Sequence, residues 1–211
     1  MQQSALSWFN CRAKCITRSR INGNFRDQTG VGRHTLPLLK LSFLILLILG
    51  AGLALTLFCL QHEWHRLAPG VKADRVVVEK GGRRLTLWAG RQRLKTYRVA
   101  LGRTPIGPKE QEGDQRTPEG SYLIDHHKPD SAFHLALHIS YPNPADLARA
   151  NERGVSPGGD IMIHGLPNGR GWIGKWHRVH DWTSGCFAVT DAQIEEIWRA
   201  VPDGTPIEIR P

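Results

Sequence analysis

The chain has 211 residues, of which 40% are hydrophobic, so it can bury the core of one ordinary domain and still carry further segments. The formal net charge is +9, but residues 1–40 hold seven Lys/Arg against a single Asp, whereas the remaining 21 Lys/Arg nearly balance 18 Asp/Glu. Because the basic excess lies in a tail that has no nucleic-acid-binding motif, we exclude nucleic acid as a partner.

An apolar run without any charged residue follows the tail, at residues 41–60. About 20 such residues cross a bilayer as a helix, whereas a signal-peptide core has about 7–15 and precedes a small-residue cleavage site. The residues after the run, Gln61-His62-Glu63-Trp64, supply no such site. We therefore predict an uncleaved single-pass membrane anchor. The positive-inside rule places the basic tail, 1–40, in the cytoplasm and the C-terminal part outside.

After a linker at 61–72, the pattern changes to that of β-strands. Two runs rich in Val and Leu, 75–79 and 84–88, flank Gly81-Gly82, which is typical of a hairpin. A third run, 94–101, extends the hairpin. These three runs predict an antiparallel meander at the start of the domain.

The rest of the chain indicates further strands and two short helices. Asn143 followed by Pro144 marks the start of one helix, and Thr190 with Gln193 forms a capping-box pattern before the other. The predicted strands are 121–125, 133–140, 160–164 and 206–210, and the predicted helices are 145–151 and a segment after residue 190. We therefore predict a mainly β domain with short helices over residues 73–211.

Residues 102–120 are rich in Gly, Pro and charge, which predicts a long ordered loop. Gly102 and Gly107 would let this loop fold back towards a functional site. Arg103, Lys109 and Arg116 would then face acidic groups of a substrate. The alternative is that these charges lie on a solvated surface.

Cys186 is the one cysteine of four that lies beyond the apolar segment, so it has no partner for a disulfide within the domain. It is either an inert core cysteine or a nucleophile. Gly185 permits a close approach of substrate, and the helix predicted after residue 190 would lower the pKa of the thiol. Activation by His164, the base described next, predicts a thiol that alkylates at neutral pH faster than a free cysteine peptide, whereas the helix lies four residues further on and its effect would be modest.

His164 is the predicted general base for this thiol, because it ends a short apolar strand and an imidazole accepts a proton near neutral pH. The alternative is a histidine that only bonds a loop. His177 and His180 are rival bases that lie nearer to Cys186 in sequence.

Two further clusters of side chains are candidates for a function. Trp172, Trp176 and Trp182, in a segment with three glycines, predict a groove wall or flap, although core packing explains any one of them equally well. A zinc site is conceivable among histidines that share a strand face, but no Cys, Asp or Glu falls at a suitable spacing, so we predict no metal. The histidines concerned are His126, His127, His134 and His138.

The segment around Cys186 resembles the L,D-transpeptidase catalytic domain, the YkuD-type family. Its signature is a His, a gap, and then Ser/Thr-His-Gly-Cys-hydrophobic-Asn/Arg. Ser184 and Ala188 depart from the second His and the Asn/Arg. The positions that match are His164, Thr183, Gly185, Cys186 and Phe187. The resemblance covers residues 73–211, through 101–109, 113–122 and 139–143, and the spelling around the cysteine is similar to that of a Gram-negative murein L,D-transpeptidase subgroup.

The resemblance implies a YkuD-like β-sandwich catalytic domain that acts in the periplasm on peptidoglycan stem peptides, behind a single-pass inner-membrane anchor. It implies no cofactor. Cys186 would form a thioester, His164 would move the proton, the backbone of Gly165 would orient His164, and Gly185 would help to hold the oxyanion. The candidate substrate-binding residues are Arg116, Tyr122, Trp172, Trp176, Thr183 and Ser184.

Three other functions stay open at this point. Water in place of an acceptor amine would make the protein a hydrolase of the same bonds, an L,D-carboxypeptidase or amidase. The departures at Ser184 and Ala188 are also compatible with a catalytically silent module that binds peptidoglycan. A metal hydrolase is the third alternative.

Overall fold

The computed structural model describes residues 35–62 and 65–211, and the chain divides into two compact units, Met1–Ala54 and Leu55–Pro211. Residues 1–34 of the basic tail predicted at 1–40 lie outside the described residues. Helix α1 runs from Thr35 to Gln61. Its segment Lys40–Gln61 has a mean hydropathy of 2.8 and is long and apolar enough to cross a bilayer.

The second unit contains eight strands, two α-helices and one 3-10 segment. The strands are β1 Arg75–Glu79, β2 Arg84–Ala89, β3 Gln92–Arg98, β4 Gly120–Ser131, β5 His134–Ile139, β6 Met162–His164, β7 Phe187–Ala188 and β8 Thr205–Arg210. The helices are α2 Pro144–Glu152 and α3 Asp191–Ala200, and the 3-10 segment is Gly171–Val179.

All eight strands belong to one curled sheet, in the order β3-β2-β1-β8-β4-β5-β6-β7. The predicted meander is confirmed, since β1 pairs with β2 and β2 with β3 in antiparallel register. The predicted mainly β domain is confirmed in this curled sheet, and the β-sandwich arrangement stays a prediction. The last strand, β8, pairs with β1 on one side and β4 on the other, and so joins the meander to the remaining strands.

Helix α3 packs against the sheet through side chains three residues apart. Ile194 and Ile197 are fully buried in the main hydrophobic cluster. A helix of ten residues is marginal by propensity alone, so this packing stabilises it, at about 1.5–3 kcal/mol for each buried side chain. The predicted capping box is confirmed, because Thr190 Oγ1 accepts a hydrogen bond from Gln193 N and Gln193 Oε1 accepts one from Thr190 N.

Strand β4 is longer than the sequence predicts. The predicted strand ends at residue 125, whereas the observed one continues through a polar run to Ser131. Partners on β5 keep this run in the sheet, since His126 pairs with His138 and Lys128 pairs with Ala136. The pairing shifts register twice, and the first shift lies between Ile124 and His126.

Candidate active site

The two residues of the predicted catalytic pair come to one cavity because β6 and β7 are parallel neighbours. Ile163 is in register with Phe187, and His164 with Ala188. Cys186 directly precedes β7, and therefore lies beside Met162 at the start of β6. His164 and Cys186 both line one cavity of about 410 Å³, together with Arg103, Lys128, Ser131, Ala132, Phe133, Asp160, Met162, Trp182, Thr183 and Ser184.

The His164 ring is held in one orientation by its neighbour. The Nδ1–H donates a hydrogen bond to the Gly165 carbonyl at 2.7 Å. Because a carbonyl only accepts, Nδ1 carries the proton and Nε2 of the neutral ring is left as the basic nitrogen. Gly165 itself is tightly packed, since a Cβ there would lie 2.9 Å from Asp191 Oδ1 and 3.0 Å from Ile194 Cγ2.

Aromatic rings enclose the His164 imidazole. Its centroid lies 4.5 Å from that of Phe133 and 5.8 Å from that of Trp182, and the residue is only 4% exposed. Burial lowers the pKa of His164 to about 4, and the hydrogen bond to the Gly165 carbonyl opposes that shift only in part. At neutral pH the ring is therefore uncharged and available as a base.

The Cys186 thiol is largely enclosed and donates a long hydrogen bond to the Asp160 carbonyl, 3.5 Å away. Burial raises the pKa of the Cys186 thiol, and the Met162 backbone opposes this effect. The expected lowering by the helix does not occur, because α3 begins only at Asp191 and a helix dipole acts over about one turn. The resting pair is thus a neutral thiol beside a neutral imidazole.

Thr183 and Gly185 fix the loop that carries the thiol. Thr183 Oγ1 donates to the Cys186 carbonyl at 2.8 Å and accepts a hydrogen bond from Gly185 N at 3.1 Å. The sequence suggested the Gly185 N–H as a hydrogen-bond donor to the oxyanion. In the structure this N–H already donates to Thr183 Oγ1. Gly185 has a φ of +136°, and a Cβ there would lie 2.7 Å from the Arg116 carbonyl, so only glycine fits.

The long loop 102–119 folds back against this segment, as its glycines suggested. Gly102 forms a bridge with Thr183, and Arg103 N donates to the Thr183 carbonyl at 3.1 Å. Gly102 N also donates to Thr117 Oγ1 at 3.0 Å. The loop therefore supports the thiol-bearing segment from behind and brings Arg103 to the cavity wall.

The predicted substrate-binding residues divide into two groups. Thr183 and Ser184 line the cavity, whereas four others lie elsewhere: Arg116, Tyr122, Trp172 and Trp176.

The reasons differ among these four. Arg116 pairs with Glu110 at 3.3 Å. Tyr122 is buried in the core, where its hydroxyl donates to Asp146 Oδ2 at 2.9 Å. Trp172 and Trp176 belong to the 3-10 segment and are 82% and 57% exposed, away from the cavity that holds Cys186.

The rival bases are also placed by the structure. His177 is buried, and its Nδ1 accepts a hydrogen bond from Trp182 Nε1 at 3.4 Å, while burial lowers the pKa of His177 to about 4. His180 is exposed. Neither lines the cavity; both lie with Trp176 around a second hollow on the far side of Trp182.

The sequence missed several residues of the cavity wall. Lys128 and Ser131 lie on the extended part of β4, and Phe133 lies in the turn after it. The sequence showed no signal for them because the polar run after residue 125 does not alternate like a strand. The register of Lys128 with Ala136, and of Ala136 with His164, is what brings β4 to the catalytic pair.

The arrangement of a cysteine, an oriented histidine and a glycine-rich support loop agrees with the comparison with known families. The YkuD family model, described as L,D-transpeptidase catalytic domain, matches residues 73–209. The chain belongs to this family. The match covers nearly all of the second compact unit and leaves out the apolar helix.

Within this L,D-transpeptidase family, individual relatives cover only part of the chain. The Escherichia coli K12 protein YafK, whose name assigns it to the L,D-transpeptidases provisionally, is 34% identical over 113 residues, which are 52% of this chain and 38% of YafK. The crystal structure of the helical cell shape determining protein Pgp2 from Campylobacter jejuni has a TM-score of 0.51 and 24% identity, over 67% of this chain and 49% of Pgp2. This chain thus spans less than half of either relative.

The two departures from the family signature are accommodated differently. Ser184 is exposed at the cavity, where it leaves a short hydroxyl in place of an imidazole. Ala188 is fully buried, and its backbone bonds Ala100 on one side while it stands in register with His164 on the other. The change at Ser184 therefore alters the cavity wall, whereas the change at Ala188 is absorbed in the sheet.

Proposed function

We propose that this protein carries out cysteine-dependent acyl transfer on peptidoglycan stem peptides, with Cys186 as nucleophile and His164 as general base. One observation supports this most strongly: the Cys186 thiol and a His164 ring with an unprotonated Nε2 line the same cavity. A neutral imidazole and a neutral thiol at rest suit a proton transfer that occurs only as the substrate carbonyl is attacked.

The reaction divides into two steps. His164 Nε2 takes the thiol proton as Cys186 Sγ attacks the carbonyl before the terminal D-alanine, and the N–H of Cys186 is our candidate donor to the oxyanion. The C–N bond then breaks, and D-alanine leaves with the proton from His164. An acceptor amine next attacks the thioester and loses a proton to His164. The C–S bond then breaks, and the departing Cys186 sulfur takes that proton from His164, which restores the thiol and the neutral ring.

The charges of the cavity wall support an anionic substrate. Arg103 and Lys128 line the cavity on different sides of the catalytic pair, while Asp160 contributes the thiol's carbonyl partner. Two cations in a partly enclosed site attract carboxylates more strongly than they would in bulk water. Stem peptides carry such carboxylates at their ends.

Hydrolysis by the same pair is the second candidate. Ser184 is small and exposed at the position where the family signature has a histidine, which favours entry of water to the thioester. In either case we place the domain in the periplasm, behind an inner-membrane anchor at 41–60, a linker at 61–72 and a cytoplasmic tail at 1–40.

The experiment is a time course with a defined disaccharide-tetrapeptide, with and without an added D-amino acid, analysed by mass spectrometry. Transfer predicts an exchange product that rises with the amine, and a thioester on Cys186 after brief incubation. Cys186→Ala and His164→Ala should lose activity at least about 100-fold, whereas His180→Gln, outside the cavity, should keep it. Tripeptide alone, whatever the amine concentration, would make the protein a hydrolase; no Cys186-dependent product would leave a silent binding module.

A further inference from the structure

A group of three potential metal ligands lies where β4 and β5 pair beside the catalytic cavity. Between Ile124 and His126 the register advances by two residues on β4 but by one on β5, from Ile139 to His138. Asp125 is the extra residue of this β-bulge. In a regular strand Asp125 and His126 would face opposite sides of the sheet, but a bulge re-aims the side chain, so both oppose His138.

The side chains converge closely. Asp125 Oδ1 lies 2.7 Å from His138 Nδ1 and 3.0 Å from His126 Nδ1, and the two imidazole rings stack with their centroids 4.5 Å apart. One potential ligand atom from each residue lies within 4.8 Å of the other two. Tetrahedral zinc with bonds of about 2.0–2.1 Å holds its ligands roughly 3.3 Å apart, so the two oxygen–nitrogen distances would each widen by about 0.3–0.6 Å. Rotation of the half-exposed His126 ring would bring the two imidazole nitrogens, which lie within 4.8 Å of each other, to the same spacing.

We propose that Asp125, His126 and His138 form a binding site for a divalent transition-metal cation of the zinc class. Two imidazole nitrogens and a carboxylate oxygen are a donor set that suits zinc, copper and nickel better than calcium or magnesium. The side chains of His126 and Asp125 are 54% and 39% exposed, so an ion reaches them from solvent and keeps a coordination position open. The residue spacing does not reveal this site, because the bulge that brings Asp125 beside His126 is not visible in the sequence.

The site lies on the cavity side of the sheet. Cross-strand partners share a face, and His138 is in register with Met162, which lines the catalytic cavity. The neighbouring row on the same face contains Lys128, Ala136 and His164. A bound cation would therefore stand one row from the catalytic histidine, where its open position can accept a carboxylate of an anionic ligand.

Two other histidines on the same strands serve as matched controls. His127 pairs with Asp203 at 2.5 Å and His134 with Glu195 at 2.9 Å, each a single imidazole with a single carboxylate. In the described part of the chain, the group at Asp125 is the one set of three such residues whose ligand atoms converge. Replacing His134 or His127 therefore removes a histidine and its contact with a carboxylate while leaving the three residues of the proposed site in place.

The test uses the full chain in detergent, stripped with EDTA and dialysed, and titrated with Zn²⁺ by calorimetry. We expect a binding event that weakens at least about tenfold in His126→Gln, in His138→Gln and in Asp125→Asn, and is unchanged in His134→Gln and His127→Gln. Co²⁺ absorption serves as a second measurement. Bands of a nitrogen and oxygen site without a thiolate charge-transfer band would separate this site from one at Cys186.

Each possible result either supports the metal site or overturns it. Loss confined to the three ligand variants, together with a Zn²⁺-dependent rise in the unfolding temperature that His138→Gln abolishes, supports the site. No Zn²⁺ binding, equal affinity in His126→Gln and His138→Gln, or an equal loss in His134→Gln would each overturn it, and the three residues would then form only a hydrogen-bonded cluster. Because this readout is binding, it is independent of the reaction proposed at Cys186.

Discussion

At the level of single residues, burial sets the chemistry of the catalytic pair. It lowers the pKa of His164 to about 4 and raises the pKa of the Cys186 thiol, so at rest the imidazole and the thiol are both neutral. The reason is local: aromatic rings cover the imidazole, and the helix that would stabilise a thiolate starts too far along the chain.

The first prediction is the pH dependence of the reaction. His164 acts as a base only when uncharged, so kcat/KM should fall as pH drops through about 4, and not near 6.5, with a plateau through neutral pH.

A companion prediction concerns the thiol. Iodoacetamide should modify Cys186 at pH 7 more slowly than a free cysteine peptide, because burial raises the pKa of the Cys186 thiol. Rate measurements and peptide mass spectrometry check both. An acid limb near 6.5 in kcat/KM would show that His164 is solvated or is not the base.

The second prediction concerns Gly185. Gly185→Ala should lower stability by about 1–3 kcal/mol from backbone strain alone. It should also remove most activity, because its Cβ would displace the Arg116 carbonyl behind the thiol. Gly113→Ala has positive φ but no atom within 4 Å, and Gly159→Ala has neither problem, so both should stay active. Denaturant unfolding and the stem-peptide assay measure these effects. An active Gly185→Ala would mean that the support from Arg116 is dispensable.

At the level of elements, local patterns were sufficient wherever the signal lies within a few residues. The capping boxes of α2 and α3 and the β1–β2 hairpin are read directly from Asn143, Thr190 and Gly81-Gly82. The parts that sequence could not supply depend on distant pairing. Insertion of β8 into the sheet and the bulge at Asp125 are set by partners far along the chain.

The candidate site divides in the same way. Cys186, His164 and the Gly165 carbonyl follow from sequence, because the motif places them at the ends of adjacent short strands. The residues of the cavity wall could not be predicted from the sequence. We predicted Arg116 and Tyr122 as substrate-binding residues. In the structure Arg116 forms an ion pair with Glu110, and Tyr122 is buried in the core, where its hydroxyl donates to Asp146.

The loop 102–119 is held by buried cations, among them Lys109, which the sequence analysis placed either towards a substrate or on a solvated surface. Lys109 is only 5% exposed and bonds Asp114 Oδ1 and the Gln111 carbonyl, both at 2.9 Å. Burial alone would raise the pKa of Asp114, but hydrogen bonds from Glu110 N and Lys109 Nζ outweigh it and hold that pKa below its usual range. Lys80 anchors the other end, bonding the carbonyls of residues 107 and 117.

The third prediction tests this loop. Asp114→Asn leaves the Lys109 ammonium buried without its counter-ion, which should cost about 3 kcal/mol and release Arg116 from behind Gly185, so activity should fall as well. Glu110→Gln is the control, because its pairs with Arg116 and Arg153 lie at the surface and should matter little. Urea unfolding followed by tryptophan fluorescence gives the comparison. Equal stability of the two variants would contradict a structural role for the buried pair.

At the level of the whole molecule, the described residues form one apolar helix and one domain of the L,D-transpeptidase family. The two parts differ in where their apolar side chains lie. The side chains of the helix from Lys40 to Leu60 are exposed, including large ones such as Leu49 and Leu53. The domain buries a single continuous cluster around the curled sheet. A helix so apolar and so exposed suits a lipid environment, which is the basis of the proposed anchor.

The last prediction follows from that requirement. The full chain should remain with membranes after alkaline carbonate extraction and keep its complete mass. In the variant L49K/L53K each lysine near the helix centre costs about 2.5–3.5 kcal/mol of insertion free energy, so the chain should be released. Leu147→Lys makes the same change at an exposed position of α2 and should leave fractionation unaltered. A soluble product that begins near residue 60 would instead mean that the helix is a cleaved signal, and that the domain works free of the membrane.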